Sequence, residues 1–368
     1  MSSDSLPYFL VFARIRGVGP VRLRKLIAHF GSLEAAWRAE PFDVVRAGMD
    51  EKSVGAIAAA QRSLDPQREM EQVTAAGLRA FCWDDAEYPA LLRHLNDPPP
   101  VLFVRGALTE SDRVAVAIVG TRKATAYGRE VAAMLSGELA RRGVTVVSGL
   151  ARGIDVVAHE AALAAGGRTV AVLACGAEQV YPPQHAGLAK RIEAAGAVVS
   201  DYPVGAPPEP ANFPPRNRII SGLSLGTVVI EADVRSGALI TAEFAAEQGR
   251  DVFAVPGNIF STASRGTNRL LASGAVPLLD VDALLEHLNL RSSGARVDAS
   301  RALPIVDGPF SAAERDLLLR MTHEPASVDE LVRQLSVPAE QVIGLLVMLE
   351  LRGAVRQAGL NRYALTAP

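Results

Sequence analysis

The sequence predicts an α/β protein: a doubly wound, Rossmann-like domain with a mainly parallel sheet, flanked by a small helical N-terminal domain and a C-terminal winged-helix domain. Three observations carry this. From about Val114 to Leu290, short apolar runs alternate with helical segments; before them the pattern is helical alone; after them three helical segments precede a hairpin-like alternation. Strands that are apolar throughout, not only at every second position, belong to a parallel sheet covered by helices on both faces.

The helical block is expected over residues 1–105. Its segments are broken at Gly31, Pro41, Gly48 and Pro66, and it closes in Asn96-Asp97-Pro98-Pro99-Pro100, a run no helix tolerates. Near its start, Ile15-Arg16-Gly17-Val18-Gly19-Pro20 followed by residues 21–30 resembles a helix-hairpin-helix, whose Gly-X-Gly turn exposes amides to a phosphate. Arg14, Arg16, Arg22, Arg24 and Lys25 are basic there, with no acid between Val11 and Phe30. Two readings stand: an accessory DNA contact, or a domain that only packs.

The Rossmann-like domain is expected over 106–290, with strands at Ala115–Val119, Thr145–Val147, Thr169–Leu173, Ala197–Val199, Thr227–Ile230, Asp251–Val255 and Val276–Leu279. Ser, Gly, Ala and Pro accumulate over 291–308, which reads as a linker. The winged helix occupies 309–368. Its recognition helix, Pro338 to Arg352, carries a single basic residue, so it is expected to pack or to meet a protein and not to read a major groove. Arg356 and Arg362 in the wing remain available to a phosphate.

Bulk properties narrow the function classes. The 368 residues are 49% hydrophobic and 21% charged, as in an ordinary soluble protein. A net charge of −2 argues against a general polyanion-coating protein, so nucleic-acid binding has to come from local clusters. The N-terminal residues lack the basic and apolar regions of a signal peptide, and no apolar run approaches the ~20 residues of a membrane span. A cytoplasmic protein with no membrane contact is expected. Cys82 and Cys175 lack metal-ligand spacing and read as buried free thiols. No metal and no cofactor are expected.

The chemistry should lie beyond the carboxyl ends of the strands, where open α/β sheets bind ligands. Gly120-Thr121-Arg122-Lys123 follows the first strand and Ser148-Gly149-Leu150-Ala151-Arg152-Gly153-Ile154-Asp155 the second. Each joins glycine, arginine and a helix start, which is a grip for an anion. Phe213-Pro214-Pro215-Arg216-Asn217-Arg218, Glu231 to Ala238 with Arg235, Ser236 and Gly237, Pro256-Gly257-Asn258, and Arg265 to Arg269 complete the set. Acidic residues slightly outnumber basic ones across the domain, yet eight cations sit in these loops: Arg122, Lys123, Arg152, Arg216, Arg218, Arg235, Arg265 and Arg269. A neutral domain with one basic edge suits a polyanion lying along that edge.

Other chemistry is poorly served. Asp155 and His159 share a helix face, but an aspartate in a first turn ordinarily complements the helix dipole. Glu231 and Asp233 are the best acid/base candidates, with no nucleophile set beside them. Gly120-Thr121-Arg122-Lys123 has no second glycine where a dinucleotide pyrophosphate would approach. Aromatic residues near the loops are few, namely Tyr127, Tyr181, Tyr202, Phe213 and Phe260, so phosphate contacts are expected to dominate over stacking.

The succession Gly120-Thr121-Arg122, Ser148 to Asp155, Tyr181-Pro182, Phe213 to Ser224, Ser236-Gly237-Ala238, Pro256-Gly257-Asn258 and Gly266-Thr267-Asn268 resembles the bacterial DprA/Smf family, the DNA-processing proteins of natural transformation. The resemblance covers the whole Rossmann-like domain in order, and its Phe-Pro-X-Arg-Asn-Arg segment is the most specific part. It implies single-stranded-DNA binding without strong sequence preference, a homodimer formed through the Rossmann-like domain, help in loading the RecA recombinase, and no catalysis. Carried over, it places the DNA pocket at Gly120, Thr121 and Arg122, at Gly149, Leu150 and Ala151, and at the arginines of Arg216-Asn217-Arg218. The glycine-turn amides would take phosphates there, and Arg122 and Arg216 would offer charge and planar faces to bases. Pro183-Gln184-His185 stands where some relatives carry a lysine, for which Lys123 or Arg152 could compensate. The alternative is a nucleotide-binding enzyme of the phosphoribohydrolase (LOG-like) class or a molybdenum-cofactor carrier, on the strength of Ser236-Gly237-Ala238 and Glu243.

Overall fold

The computed structural model describes residues 5–290, 310–321, 326–335, 337–359 and 361–365, and the chain divides into two units at residue 290. The linker expected at 291–308 lies outside the described residues.

The first unit opens with six helices: α1 (Leu6–Ala13), α2 (Pro20–Phe30), α3 (Leu33–Trp37), α4 (Pro41–Arg46), α5 (Glu51–Ser63) and α6 (Pro66–Ala75). The pattern does break at Pro41 and Pro66, which are the first residues of α4 and α6, where the missing N–H costs nothing. Ser32, Asp50 and Asp65 cap α3, α5 and α6 by accepting from the backbone amides of Ala35, Ser53 and Arg68. Phe9, Phe12, Leu23, Leu26 and Ile57 form the centre of this block.

A nine-stranded sheet follows in the order β1-β2-β6-β5-β4-β3-β7-β8-β9. Its strands are β1 (Arg79–Cys82), β2 (Val101–Gly106), β3 (Ala115–Val119), β4 (Thr145–Ser148), β5 (Thr169–Val172), β6 (Ala197–Ser200), β7 (Gly226–Val229), β8 (Asp251–Ala254) and β9 (Val276–Pro277). Strands β3 to β9 run parallel, whereas β2 pairs antiparallel with β6 and β1 antiparallel with β2. This corrects the reading of residues 1–105 as wholly helical. Helix α6 is followed by two strands of the sheet, and the short helix α7 (Ala90–Arg93) lies between them.

Strand β3 shows why an alternating pattern is absent from the central strands. Val116 and Ile118 pack with α8 (Ala126–Arg141), α9 (Ile154–Ala164) and α14 (Val281–His287). Ala115, Ala117 and Val119 pack on the opposite face with α7, α11 (Phe213–Gly222) and α12 (Gly237–Glu247). Both faces are dry, so every residue of the strand is apolar. Helices α10 (Ala186–Ala195) and α13 (Arg265–Ala272) complete the layers. Cys82 and Cys175 are buried and form no disulfide, as expected.

The second unit contains α15 (Ala312–Arg320), α16 (Val328–Leu335) and α17 (Ala339–Leu351) with the antiparallel strands β10 (Ala326–Ser327), β12 (Arg362–Leu365) and β11 (Val355–Gly359) in that spatial order. Three helices and a wing make a winged helix. Val342, Leu346 and Leu349 of α17 enter its core, while Ile343, Val347, Met348 and Leu351 are exposed and α17 holds no basic residue. Its outer face is therefore unsuited to a DNA groove. Among the described residues, no single helix is long and apolar enough to cross a membrane.

Candidate nucleic-acid interface

From β3 the chain builds the sheet in one direction through β4, β5 and β6, and later in the other through β7, β8 and β9. A crevice must open where the direction reverses, beyond the carboxyl ends of β3 and β7. A cavity of about 710 Å³ lies there. The loop after β3 supplies Gly120, Thr121, Arg122 and Lys123; the loop after β4 supplies Ala151; α11 supplies Phe213, Arg216 and Asn217; and the loop after β7 supplies Asp233, Arg235, Ser236 and Gly237.

The first two loops are pressed together. Gly153 has φ +83°, and a Cβ there would sit 2.2 Å from the Thr121 carbonyl oxygen. The Ile154 amide donates to that same oxygen at 3.3 Å, and the Thr121 amide donates to the carbonyl of Glu231 at 2.7 Å. Thr121 is thus tied on two sides, and Arg122 projects from a fixed backbone. Its guanidinium lies 5.4 Å from the centre of the Phe213 ring, which meets the Tyr181 ring edge-on at 5.7 Å. Two aromatic rings and a cation therefore line one cavity, although aromatic residues are few in the chain.

At the base of the cavity the expected contacts are differently employed. Arg216 is only 4% exposed, and its guanidinium donates to the carbonyls of Gly149, at 3.0 Å, and Val172. It holds the loop after β4 from below, instead of offering a planar face to a base. Burial lowers its pKa, against the pull of Asp155. The amides of Gly149 and Ala151, expected to take phosphates, both donate to Asp155 Oδ2 at 3.2 Å. A Cβ on Gly149 would come within 2.9 Å of both Arg216 and Asp155. Burial pushes the Asp155 carboxyl up to about 6, with Arg216 and the two amides pulling the other way. Leu150 is fully buried at φ 55°. His159, also buried, bonds through Nδ1 to the Thr169 hydroxyl at 2.6 Å, and burial drives its pKa down to about 3.

Four further expectations change. Arg218 pairs with Asp201 at 2.7 Å and with Asp97 at 3.4 Å, so its charge is neutralised within the chain. Gly257 and Asn258 do not line the cavity; the Asn268 side chain bonds both backbone polar groups of Gly257. Glu231, the acid/base candidate, is 2% exposed and accepts from the amide and hydroxyl of Thr125 at the start of α8. It is a structural cap. Glu243 is exposed and outside the cavity lining, which removes the residue on which the phosphoribohydrolase alternative leaned.

Arg122, Lys123, Arg152, Arg235, Arg265 and Arg269 are all exposed, and among the described residues none has a carboxylate within ion-pair distance. Arg152 stands outside the cavity lining. The N-terminal cluster contrasts with this rim. Arg14 pairs with Glu69 at 2.5 Å and bonds Gln72, Arg22 pairs with Asp50 at 2.5 Å and bonds the Gly17 carbonyl, and Arg16 lies 3.5 Å from Glu209. The Ser53 amide and the Arg22 guanidinium hold Asp50 down to about 2. Arg24 donates to the Asn96 carbonyl and rests over Trp83, leaving Lys25 exposed.

Fold and site define a class: a Rossmann-like protein with a cavity rimmed by unpaired cations at the topological switch point, followed in the chain by a winged helix. Residues 79–289 match the family of DNA recombination-mediator protein A, and residues 299–359 match the DprA winged helix domain. The chain belongs to this DprA/Smf family. It is 36% identical over 395 residues to protein Smf of Synechocystis, covering 99% of each chain, and 41% identical over 217 residues to the DNA processing protein DprA of Bacillus subtilis, covering 59% of this chain and 73% of that one. Its fold is similar to the X-ray structure of DprA from Streptococcus pneumoniae, with TM-score 0.68 and 31% identity over 78% of this chain and 98% of that one. A structure of DprA from Helicobacter pylori, described as showing a single-stranded-DNA binding mode, matches with TM-score 0.52 and 29% identity over 58% of this chain and 95% of that one.

The sequence singled out the loops correctly as neighbours around β3, β4 and β7. It named Tyr181 as an aromatic near the loops without placing it in the pocket, and it missed Asp155, which also lines the cavity. The cation spacing gave no signal for which arginines are buried.

Proposed function

We propose that this protein binds single-stranded DNA at the switch-point cavity, without strong sequence preference and without catalytic turnover, and mediates recombination during transformation by protecting strands and helping RecA to load on them. One observation carries the reading: Arg122 is exposed, unpaired among the described residues, held on a braced backbone and set against the Phe213 ring. An unneutralised cation beside an aromatic face serves a phosphate and its base together, and every nucleobase has a π-face, so such contacts tolerate any sequence. Lys123 and Arg235 in the same cavity extend the charge beyond what one phosphate requires. The single-strand binding described for the H. pylori relative supports the same ligand. Homodimerisation through the Rossmann-like domain and contact with RecA belong to the proposal, with the exposed part of α12 as a candidate surface.

Anisotropy titration with single- and double-stranded oligonucleotides tests it, using wild type and Arg122→Ala. The single strand is expected to bind more tightly, and Arg122→Ala to weaken it by about tenfold, the scale of one charge-assisted contact. Equal affinity for both forms of DNA, or an Arg122→Ala variant that binds as well as wild type, would overturn the reading. RecA filament formation on coated single strands, with and without the protein, tests the loading role separately.

A further inference from the structure

The loop after β8 carries a feature the cavity does not use. Phe260 is 85% exposed, the highest value for a large apolar side chain among the described residues, and Ile259 beside it is 75% exposed. The loop that presents them is braced. The Phe260 amide donates to Asn258 Oδ1 at 2.9 Å, and the Ser261 amide donates to the Asn258 carbonyl at 3.0 Å. The Tyr127 hydroxyl reaches the Pro256 carbonyl at 3.2 Å, and the Ala232 amide donates to the Ala263 carbonyl at 2.8 Å. The backbone that presents the ring to solvent is thus pre-placed.

Its surroundings select the kind of partner. From Val252 to Leu279 the chain has no acidic residue, while Arg265 and Arg269 are exposed and unpaired among the described residues. Asn258, Ser261 and Thr262 flank the apolar pair in sequence. A nucleobase needs one ring face and a cation for its phosphate. The strand order β3-β7-β8 also places this loop next in line after the loops bearing Arg122 and Arg235.

From this juxtaposition we propose that the loop after β8 is a second base-binding station, where Phe260 stacks a base of a single strand whose phosphates pass from Arg235 toward Arg265. The proposal rests on the reading of the cavity as a single-stranded-DNA site and lengthens that site beyond the cavity. The occupant is the same strand that fills the cavity.

Oligothymidylates of about six and about sixteen nucleotides, the range of single-strand groove footprints, test it with wild type, Phe260→Ala, Phe260→Leu and Phe260→Trp. The longer strand is expected to lose about tenfold in affinity with Phe260→Ala, and as much with Phe260→Leu, which keeps apolar bulk but has no ring; the shorter strand is expected to bind all four alike. Phe260→Trp should retain affinity, its fluorescence quenched by the longer strand alone. A longer strand bearing 5-iodouracil should photocrosslink to the peptide containing Phe260. Unchanged long-strand affinity in Phe260→Ala together with crosslinks confined to the cavity would overturn the station and leave the cavity reading intact. A Phe260→Leu variant as good as wild type would point to an apolar protein contact and overturn stacking. Failure of wild type to bind either strand would overturn the cavity reading itself.

Discussion

The arginines at the turn between α1 and α2 and those along the carboxyl edge of the sheet look alike in sequence, yet their surroundings differ. Arg14, Arg16 and Arg22 each face a carboxylate of the same chain, and Arg24 is held by a carbonyl and a tryptophan ring. Arg122, Arg235, Arg265 and Arg269 face solvent with no carboxylate within ion-pair distance among the described residues. A cation already neutralised releases no counterion on meeting DNA and adds little to its binding, whereas an unpaired one adds a full increment. Basic residues locate a nucleic-acid site only where the fold leaves them unpaired.

The largest expected effect concerns the arginine that belongs to neither group. Arg216→Ala should cost about 3–5 kcal/mol in chemical denaturation, because it removes one partner of a buried set and leaves Asp155 and two carbonyls without it. Full stability with selective loss of DNA binding would instead place Arg216 among the contacts. Gly153→Ala should cost about 2 kcal/mol, since the left-handed backbone and the Thr121 carbonyl both oppose a Cβ. Circular dichroism melts measure it, and a silent substitution would mean that the two loops are not locked as described.

A pH series sharpens the account of the floor. His159 stays neutral when folded, with its pKa driven down to about 3 by burial, and takes up a proton near 6.5 when unfolded. The unfolded state therefore binds more protons in that window, and stability falls as pH falls through it. Asp155, raised to about 6, acts in the opposite sense between its unfolded value and 6, so wild type shows only the difference of the two. His159→Gln should gain on wild type by up to about 1.4 kcal/mol per pH unit below 6.5. Parallel stability curves for the two proteins would contradict a buried neutral His159. The smallest effect belongs to the N-terminal cluster. Arg14→Ala should cost about 0.5–1 kcal/mol and leave single-strand affinity unchanged, as for a structural ion pair.

Much of the fold was legible in the sequence because β3 to β7 are buried on both faces and so read as largely apolar runs. Strands β1 and β2 were not. Arg79–Cys82 is four residues with one charged, and Val101–Gly106 follows directly on the proline run that seemed to close a helical block. Turn chemistry revealed the site's loops, since Gly120 and Gly153 mark where the chain must bend closely. Burial was not legible. Arg122 and Arg216 are both arginines in motif segments, and only the packing of α11 against the loop after β4 leaves one exposed beside Phe213 and makes the other a buried support. Asp155 was read as complementing a helix dipole, and it does sit in the first turn of α9, but its hydrogen bonds go to the preceding loop.

The most direct test of the paired and unpaired cations compares three proteins in single-strand titrations across a range of salt: wild type, Arg122→Ala with Arg235→Ala, and Arg14→Ala with Arg22→Ala. The rim variant should bind more weakly and lose about 1.4 from the slope of log affinity against log salt, about 0.7 for each single-strand phosphate contact removed, while the N-terminal variant keeps the wild-type slope. A rim variant with an unchanged slope, or an N-terminal variant whose slope falls instead, would contradict the account.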